Sequence, residues 1–350
     1  MTSARRRIRT LIVDDSALVR KVLSVGLSKD PGIEVIGQAS DPYQARDLMV
    51  ELEPDVLTLD VEMPRMDGVT FLRRFMPIMP IPTVVISSLT QNGKRVTLDA
   101  LEAGAVDVIA KPSVGVADGL PVMLEDICRR VKAAASVDVS HFAHPGARPA
   151  VETATALVDT TDRVIAIGAS TGGVQALSRI LPAFPPDAPG IVIVQHMPSG
   201  FTSTFAERLN SLCRMRVKEA VDGDRVMPGG ILLAPGGVRH MSIIRTGGEY
   251  RVTLTEGPAV NYSRPAVDVL FHSVAREAGG NAAAAILTGM GKDGAEGLMA
   301  IRQAGGRTFA QDEASSIVFG MPLAAQELGA AERVLPLEKI PAHLVNAVRR

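Results

Sequence analysis

Hydrophobic and polar positions alternate along this chain with two characteristic lengths. Short runs of β-branched and aliphatic residues occupy 10–13, 33–36, 56–59, 83–86 and 106–109. Between them lie segments with apolar residues on one helical face, at 17–28, 43–52, 69–75 and 94–102, with a last at 122–132. The short runs suit buried strands and the longer periodic segments suit amphipathic helices. Five strands alternating with five helices predict a parallel, doubly wound α/β sheet.

The alternation stops at 135. Residues 135–161 are rich in Ala, Thr, Pro and Val and carry no convincing strand, which predicts an interdomain linker. A second alternation follows, with apolar runs at 164–167, 191–194, 231–234, 243–244, 252–254 and 283–287. Segments 241–245 and 250–254 flank a Gly247-Gly248 turn and predict a β-hairpin. The expected organisation is an α/β domain over 7–134, a linker over 135–161 and a larger, mostly parallel α/β domain with an antiparallel hairpin over 162–348.

Length agrees: 350 residues suit two domains of roughly 150 residues. Tryptophan is absent and aromatics are only 3% of the chain, so two cores must be built largely from aliphatic side chains. Lys plus Arg number 37 against 38 Asp plus Glu, a balance that argues against a nucleic-acid partner. The cluster Arg5, Arg6, Arg7 and Arg9 reads as a solvated basic N-terminus rather than a binding arm. Cys128 and Cys213 form no disulfide framework, and no CxxC or HExxH spacing offers a zinc site. The apolar stretch at 11–13 ends at once in Asp14-Asp15, too short for a signal peptide. No run reaches the ~18 residues of a membrane span, so neither membrane insertion nor export is expected and the predicted location is cytoplasmic.

In parallel α/β sheets functional groups gather beyond the carboxyl ends of the strands. In the first domain those ends carry Asp14-Asp15, Asp60, Ser87-Ser88 and Lys111-Pro112. Three carboxylates in one crevice raise one another's pKa unless a cation sits among them, and oxygen ligands suit Mg2+ where phosphate is handled. Lys111 adds a mobile positive charge, Ser87 a hydroxyl, and Asp60 a nucleophilic carboxylate able to accept a phosphoryl group. Any one of these acids read alone is a solvated loop residue; the joint pattern favours a site.

The strings VDDS at 13–16, LDVEMPRMDG at 59–68, ISS at 86–88 and AKPS at 110–113 resemble the receiver domain of response regulators, a five-stranded flavodoxin-like fold. The resemblance implies that Asp60 is phosphorylated by a histidine kinase. It also implies that Asp14, Asp15 and Asp60 bind Mg2+ with the main-chain carbonyl of Glu62, and that Ser87 and Lys111 read the phosphoryl group. Many receivers carry an aromatic switch residue three positions before the lysine; Val108 stands there in this chain.

In the second domain the run VIAIGASTGG places Ser170 on a strand-to-helix corner backed by glycines. Such a corner exposes Oγ, and the N–H groups opening the next helix, from Val174, can meet developing negative charge. GASTG fits the GxSxG string, which is weak alone; the rival is a phosphate loop, but GxxxxGK[ST] and GxGxxG are absent here. A serine needs a base. Of the histidines, His141 and His144 fall in the linker, His272 and His343 in helical patterns, and His240 after a glycine turn. His196 directly follows the strand IVIVQ and is preferred over His240 on the strand-end rule. Asp293, the only acid in the loop TGMGKDG, is the candidate to orient the imidazole, with capping of the following helix as its alternative role. The order Ser170, His196, Asp293 differs from that of α/β-hydrolases.

VIAIGASTGG, IVIVQHMP, LAPGGVRH and ILTGMGKDGAEG resemble the catalytic domain of the protein-glutamate methylesterases of bacterial chemotaxis, the CheB family. The resemblance implies a serine hydrolase without a cofactor. Ser170 attacks glutamate γ-methyl esters on methyl-accepting chemoreceptors, His196 serves as base and acid, and Asp293 orients it. Methanol leaves, and receptor glutamines are deamidated in some members. Thr171 and Met290 match family positions lining the site, Met290 through its main-chain N–H. Phosphorylation of the receiver, by the chemotaxis histidine kinase, is expected to relieve occlusion of the esterase site. A phospho-dependent adaptor and a small-molecule esterase are the rival classes.

Overall fold

The predicted strands form because β-branched and aliphatic runs can be buried on both faces of a parallel sheet. The structure, a computed structural model, describes residues 6–87, 90–111, 116–139, 150–151 and 162–349, without the side chains at 91–92 and 116–122. Ser88, Pro112 and most of the predicted linker, with His141 and His144, lie outside the described residues. The chain divides into two units, Met1–Arg148 and Pro149–Arg350.

The first unit runs β1 (Ile8–Val13), α1 (Ala17–Leu27), β2 (Ile33–Ala39), α2 (Pro42–Leu52), β3 (Val56–Leu59), α3 (Gly68–Phe75), β4 (Thr83–Ser87), α4 (Gln91–Glu102), β5 (Asp107–Ala110) and α5 (Val116–Ala134). The sheet order is β2-β1-β3-β4-β5, all parallel. Helix starts are set by side chains that accept the otherwise unpaired N–H groups of the first turn: Ser16 for α1, Asp41 for α2, Asp67 for α3 and Thr90 for α4. Strand β1 lies between β2 and β3, so its carboxyl end opens on the crevice where the strand order reverses. Val13 pairs with Leu59 there, which brings Asp14 and Asp60 side by side.

The second unit runs β6 (Val164–Ala169), α6 (Gly173–Ile180), β7 (Gly190–Gln195), α7 (Phe201–Leu212), β8 (Arg216–Glu219), β9 (Gly230–Leu233), β10 (Arg239–Thr246), β11 (Glu249–Glu256), α8 (Val267–Ala278), β12 (Ala282–Ile286), α9 (Ala295–Gln303), β13 (Arg307–Gln311), α10 (Met321–Glu327), β14 (Arg333–Leu335) and α11 (Ile340–Ala347). Seven strands form one parallel sheet in the order β14-β13-β12-β6-β7-β9-β8. The predicted hairpin is a separate two-stranded sheet, β10 against β11, turned through Gly247 at φ +63°. Strands β8, β13 and β14 were not expected from the pattern. β8 (RVKE) and β14 (RVL) are sheet edges, where only one long face needs apolar cover, so each lacks a recognisable apolar run. The core is aliphatic as composition requires: the strand AAAAI of β12, four alanines and an isoleucine, is fully buried between β6 and β13.

Candidate functional site

In the first unit the acids predicted at strand ends converge. Asp14, Asp15 and Asp60 each offer a carboxylate oxygen, all within 4.8 Å of one another, with Asp14 and Asp60 buried and Asp15 exposed. Lys111 Nζ lies 2.6 Å from Asp60 Oδ2 and 2.9 Å from Asp14 Oδ2. The main-chain N–H of Glu62 donates to Asp60 Oδ1 at 3.1 Å, holding the loop around that carboxylate. Burial, acting against Lys111, raises the Asp14 carboxyl above its ordinary range and pushes Asp60 up to about 6, with Asp14 adding to the rise at Asp60. Burial opposes the ammonium of Lys111 too, but the two carboxylates prevail and raise its pKa. Three clustered carboxylates, two of them buried and not fully offset by one lysine, fit a hard divalent cation. Ser87 is buried at the end of β4. Val108 is 3% exposed within β5, so the position of the usual aromatic switch is a sealed core position here.

A measurable consequence follows from Asp60. Its folded carboxyl is held near 6 against 3.8 for the ordinary group, so the native state holds a proton that the unfolded state has lost between those values. The native contribution is full below the lower value and is lost as pH rises through the upper one; the difference of ~2 units corresponds to about 3 kcal/mol at most. Asp60→Asn removes the buried charge while Asp14 still holds Lys111. Without divalent metal, the variant is expected to unfold at higher temperature than wild type at about pH 8, with the gap closing below about pH 4. Calorimetric unfolding of the full chain checks this, and equal unfolding temperatures at the higher pH would refute it.

In the second unit the strand order reverses at β6, which pairs with β12 on one side and β7 on the other. Ser170 follows β6, His196 follows β7 and Asp293 lies in the loop after β12, so three adjacent strands deliver the three candidates to one rim. His196 Nε2 meets Asp293 Oδ2 at 2.8 Å, with the histidine side chain 11% exposed and the carboxylate 2%. The other ring nitrogen, Nδ1, lies 3.2 Å from Ser263 Oγ. Ser170 reaches the same rim, but among the described residues no hydrogen bond joins its hydroxyl to His196. Nucleophile–base contacts in ligand-free sites often close only around substrate.

Main-chain bonds place Ser170 firmly. Its N–H donates to Thr288 O at 3.0 Å and its carbonyl accepts from Gly173 N at 2.7 Å. Gln195 Nε2 donates to Ser170 O at 2.8 Å and to His196 O at 3.1 Å, tying the backbones of both residues to one buried amide. The corner is turned by Gly172 at φ +79°, not by Ser170, so the strained serine of an α/β-hydrolase elbow is not reproduced. Gly289 lies opposite; a Cβ there would stand 2.8 Å from Ser170 Cβ, so only glycine leaves that side chain its place.

Asp293 does not cap the helix that follows it, as its position in sequence suggested. That helix, α9, is preceded by Gly294, whose φ of +91° turns the chain, and has no side-chain cap. Asp293 instead accepts from Val267 N at 2.6 Å and Asp268 N at 3.1 Å, at the N-terminus of α8. Burial raises its pKa, but the hydrogen bond and charge of His196 and the two N–H groups outweigh it and hold the carboxyl below its ordinary range.

His240, the less favoured base, is buried with both ring nitrogens on main chain: Nε2 on Pro258 O at 2.9 Å and Nδ1 accepting from Ala266 N at 3.2 Å. Its role is to pin loops. His272 is exposed on α8, and His343 binds Lys339 O on α11. Thr171 is buried, with its carbonyl held by Thr288 Oγ1 at 2.9 Å. Met290 is half-buried in the loop after β12, beside Gly289. The sequence reading missed Gln195 and Ser263; the one local signal was the glutamine directly before the candidate base.

The fold and these candidate sites define a class: a five-stranded parallel unit with an acidic crevice, followed by a parallel α/β unit that carries Ser170, His196 and Asp293 on one rim at its switch point. A response regulator receiver domain family model matches residues 10–117, and a CheB methylesterase family model matches residues 165–344. A relative from Syntrophotalea carbinolica, named protein-glutamate methylesterase/protein-glutamine glutaminase, is 56% identical over 97% of this chain and 98% of its own. One from Cereibacter sphaeroides with the same designation, numbered 2, is 59% identical over 97% of this chain and 92% of its own. Among solved structures, the CheB methylesterase catalytic domain of Thermotoga maritima is 41% identical, covers 54% of this chain and 99% of its own, and superposes with a TM-score of 0.52. The chain belongs to the CheB methylesterase family and carries that family's receiver domain. Among the described residues no helix is long and apolar enough to cross a membrane.

Proposed function

We propose that this chain is a phosphorylation-regulated serine hydrolase that demethylates glutamate γ-methyl esters on methyl-accepting chemoreceptors and deamidates receptor glutamines. The observation that carries the reading is the 2.8 Å contact between His196 Nε2 and Asp293 on the rim that also holds Ser170. The names of the relatives supply the two substrate groups.

With the Nε2 proton donated to Asp293, Nδ1 is the basic nitrogen of His196. The imidazole exchanges Ser263 for Ser170 when substrate enters. Ser170 Oγ adds to the ester carbonyl as its proton passes to Nδ1, giving a tetrahedral oxyanion. The main-chain N–H of Met290 and the N–H groups at the Thr171 corner stabilise that charge. Collapse expels methanol, which takes the proton from His196, and leaves a glutamyl ester on Ser170. Water then attacks with His196 again accepting the proton, and glutamate leaves. For glutamine the leaving group is ammonia. Gln195 keeps the backbones of the nucleophile and base in register through both steps.

In the receiver, Asp60 accepts a phosphoryl group from the chemotaxis histidine kinase, and Lys111 and Ser87 contact it. Asp14, Asp15 and Asp60, with the carbonyl of Glu62, would hold Mg2+, which would supply positive charge against the added negative charge of about -1.5 to -2. The test is methanol release from methylated receptor membranes, with and without a small phosphodonor. Wild type is expected to accelerate with the phosphodonor, and Asp60→Asn to keep the basal rate without acceleration. An Asp60→Asn protein that still accelerates would exclude this residue as the acceptor, and equal turnover of free methyl esters would favour a small-molecule esterase.

A further inference from the structure

The segment Asn261–Ser263 sits between the hairpin and α8, and its outer residues touch the site from two sides. Ser263 Oγ meets His196 Nδ1 at 3.2 Å. Asn261 reaches deeper: its Nδ2 group donates to Asp268 Oδ2 at 2.8 Å and to Asp293 Oδ1 at 3.3 Å. Asp268 and Asp293 are 4% and 2% exposed, two carboxylates side by side away from water. Such a pair repels itself unless a donor stands between its members.

We propose that Asn261 is a positioning residue for the hydrolase site, its amide bridging Asp268 and Asp293 so that Asp293 stays aimed at His196. The inference rests on the reading of Ser170, His196 and Asp293 given above. A carboxylate has about four acceptor directions. At Asp293 each is taken: Oδ2 by His196 Nε2 and Val267 N, Oδ1 by Asp268 N and Asn261 Nδ2. The group cannot turn without breaking bonds on both oxygens. Asp268 is held in turn by Gly297 N on Oδ1 at 2.7 Å, and it belongs to the first turn of α8. Burial, with the charge of Asp293 added, raises the Asp268 carboxyl, while Asp293 is held low, so the shared environment concentrates negative charge on the member facing the imidazole.

The chemistry of asparagine suits this position. Its amide supplies two N–H donors without a charge, so it screens the carboxylates without competing with His196 for Asp293. A lysine would form its own ion pair there. Asn261 and Tyr262 both have left-handed backbones, φ +50° and +63°, which turn the chain so that residues 261 and 263 both face inward. Asparagine is among the few non-glycine residues that enter that region readily.

The experiment uses the full chain carrying Asn261→Ala, Asn261→Gly and Asn261→Asp. Glycine keeps the left-handed backbone without strain and guards against misfolding of the alanine variant. Aspartate is nearly isosteric but places a third carboxylate against the pair. The readouts are kcat and KM for methanol release, and the downfield proton resonance of the His196 imidazole, identified by its loss in His196→Ala. Alanine and glycine are expected to lower kcat roughly tenfold to a hundredfold, by analogy with the outer hydrogen-bond partners of metal-ligating histidines. KM should stay unchanged, the imidazole proton should move upfield, and aspartate should be the slowest of the three at mildly alkaline pH. A shape-filling role predicts the reverse order, with aspartate mildest; that order, or an unmoved imidazole resonance, overturns the proposal. If wild type releases no methanol the esterase reading fails, while the resonance still decides whether Asn261 acts through Asp293 on His196.

Discussion

Ser170→Ala is expected to remove essentially all methanol release while leaving the fold and receptor binding intact. The loss should be on the order of 10^6-fold in kcat, as for deletion of a nucleophilic serine in comparable constellations. Alanine fits the site because the structure holds Ser170 through its backbone: Thr288 O, Gly173 N and the Gln195 amide all bind main-chain atoms. The hydroxyl itself makes no hydrogen bond among the described residues, so its removal costs the native state little. Active-site labelling gives a second readout. A fluorophosphonate should modify wild type at one serine and Ser170→Ala not at all. Labelling that persists and maps to Ser263, whose hydroxyl is the one contacting His196 Nδ1, would reassign the nucleophile. Retained biological output from Ser170→Ala without methanol release would instead support an adaptor.

The candidate triad was legible because one rule governs all three members. Parallel sheets collect functional groups beyond the carboxyl ends of their strands, and an apolar run marks such an end plainly: IVIVQ before His196, VIAIG before Ser170. The same rule located Asp14, Asp60, Ser87 and Lys111 in the receiver. Strand order was not readable, yet it decides whether the ends are neighbours; here β12, β6 and β7 lie side by side. Residues that support the site from outside strand ends were invisible. Asn261 and Ser263 lie in a segment without strand or helix periodicity, and their left-handed turn has no local glycine to announce it. The alternative of capping by Asp293 fails for a physical reason. A cap is inferred from spacing along one segment, whereas the Asp293 carboxylate crosses to α8 after Gly294 redirects the chain. Edge strands β8 and β14 escaped because an edge needs little apolar sequence.

That crossing makes Asp293 the position where substitution separates chemistry from stability most sharply. Asp293→Asn keeps the shape but can present only one acceptor oxygen. If that oxygen faces Val267 N and His196, the new NH2 opposes two donors, Asp268 N and the Asn261 amide. If it faces those two, only Val267 N loses its acceptor, and the NH2 donates to His196 Nε2. The second arrangement leaves fewer donors opposed, so it should dominate. It forces the imidazole proton onto Nδ1, the nitrogen proposed to accept from Ser170. The expected result is a loss of about 10^4-fold in kcat, from the wrong tautomer rather than a displaced ring. Asp293→Ala removes every acceptor at once and leaves the first turn of α8 uncapped, a further cost of roughly 1–2 kcal/mol. It imposes no tautomer, however, so it should be the less stable variant and no slower than Asp293→Asn. Nitrogen NMR of the imidazole distinguishes the two tautomers, and thermal unfolding ranks the stabilities. Asp293→Asn working within tenfold of wild type, or carrying its imidazole proton on Nε2, would show that charge at 293 does not set the state of the base.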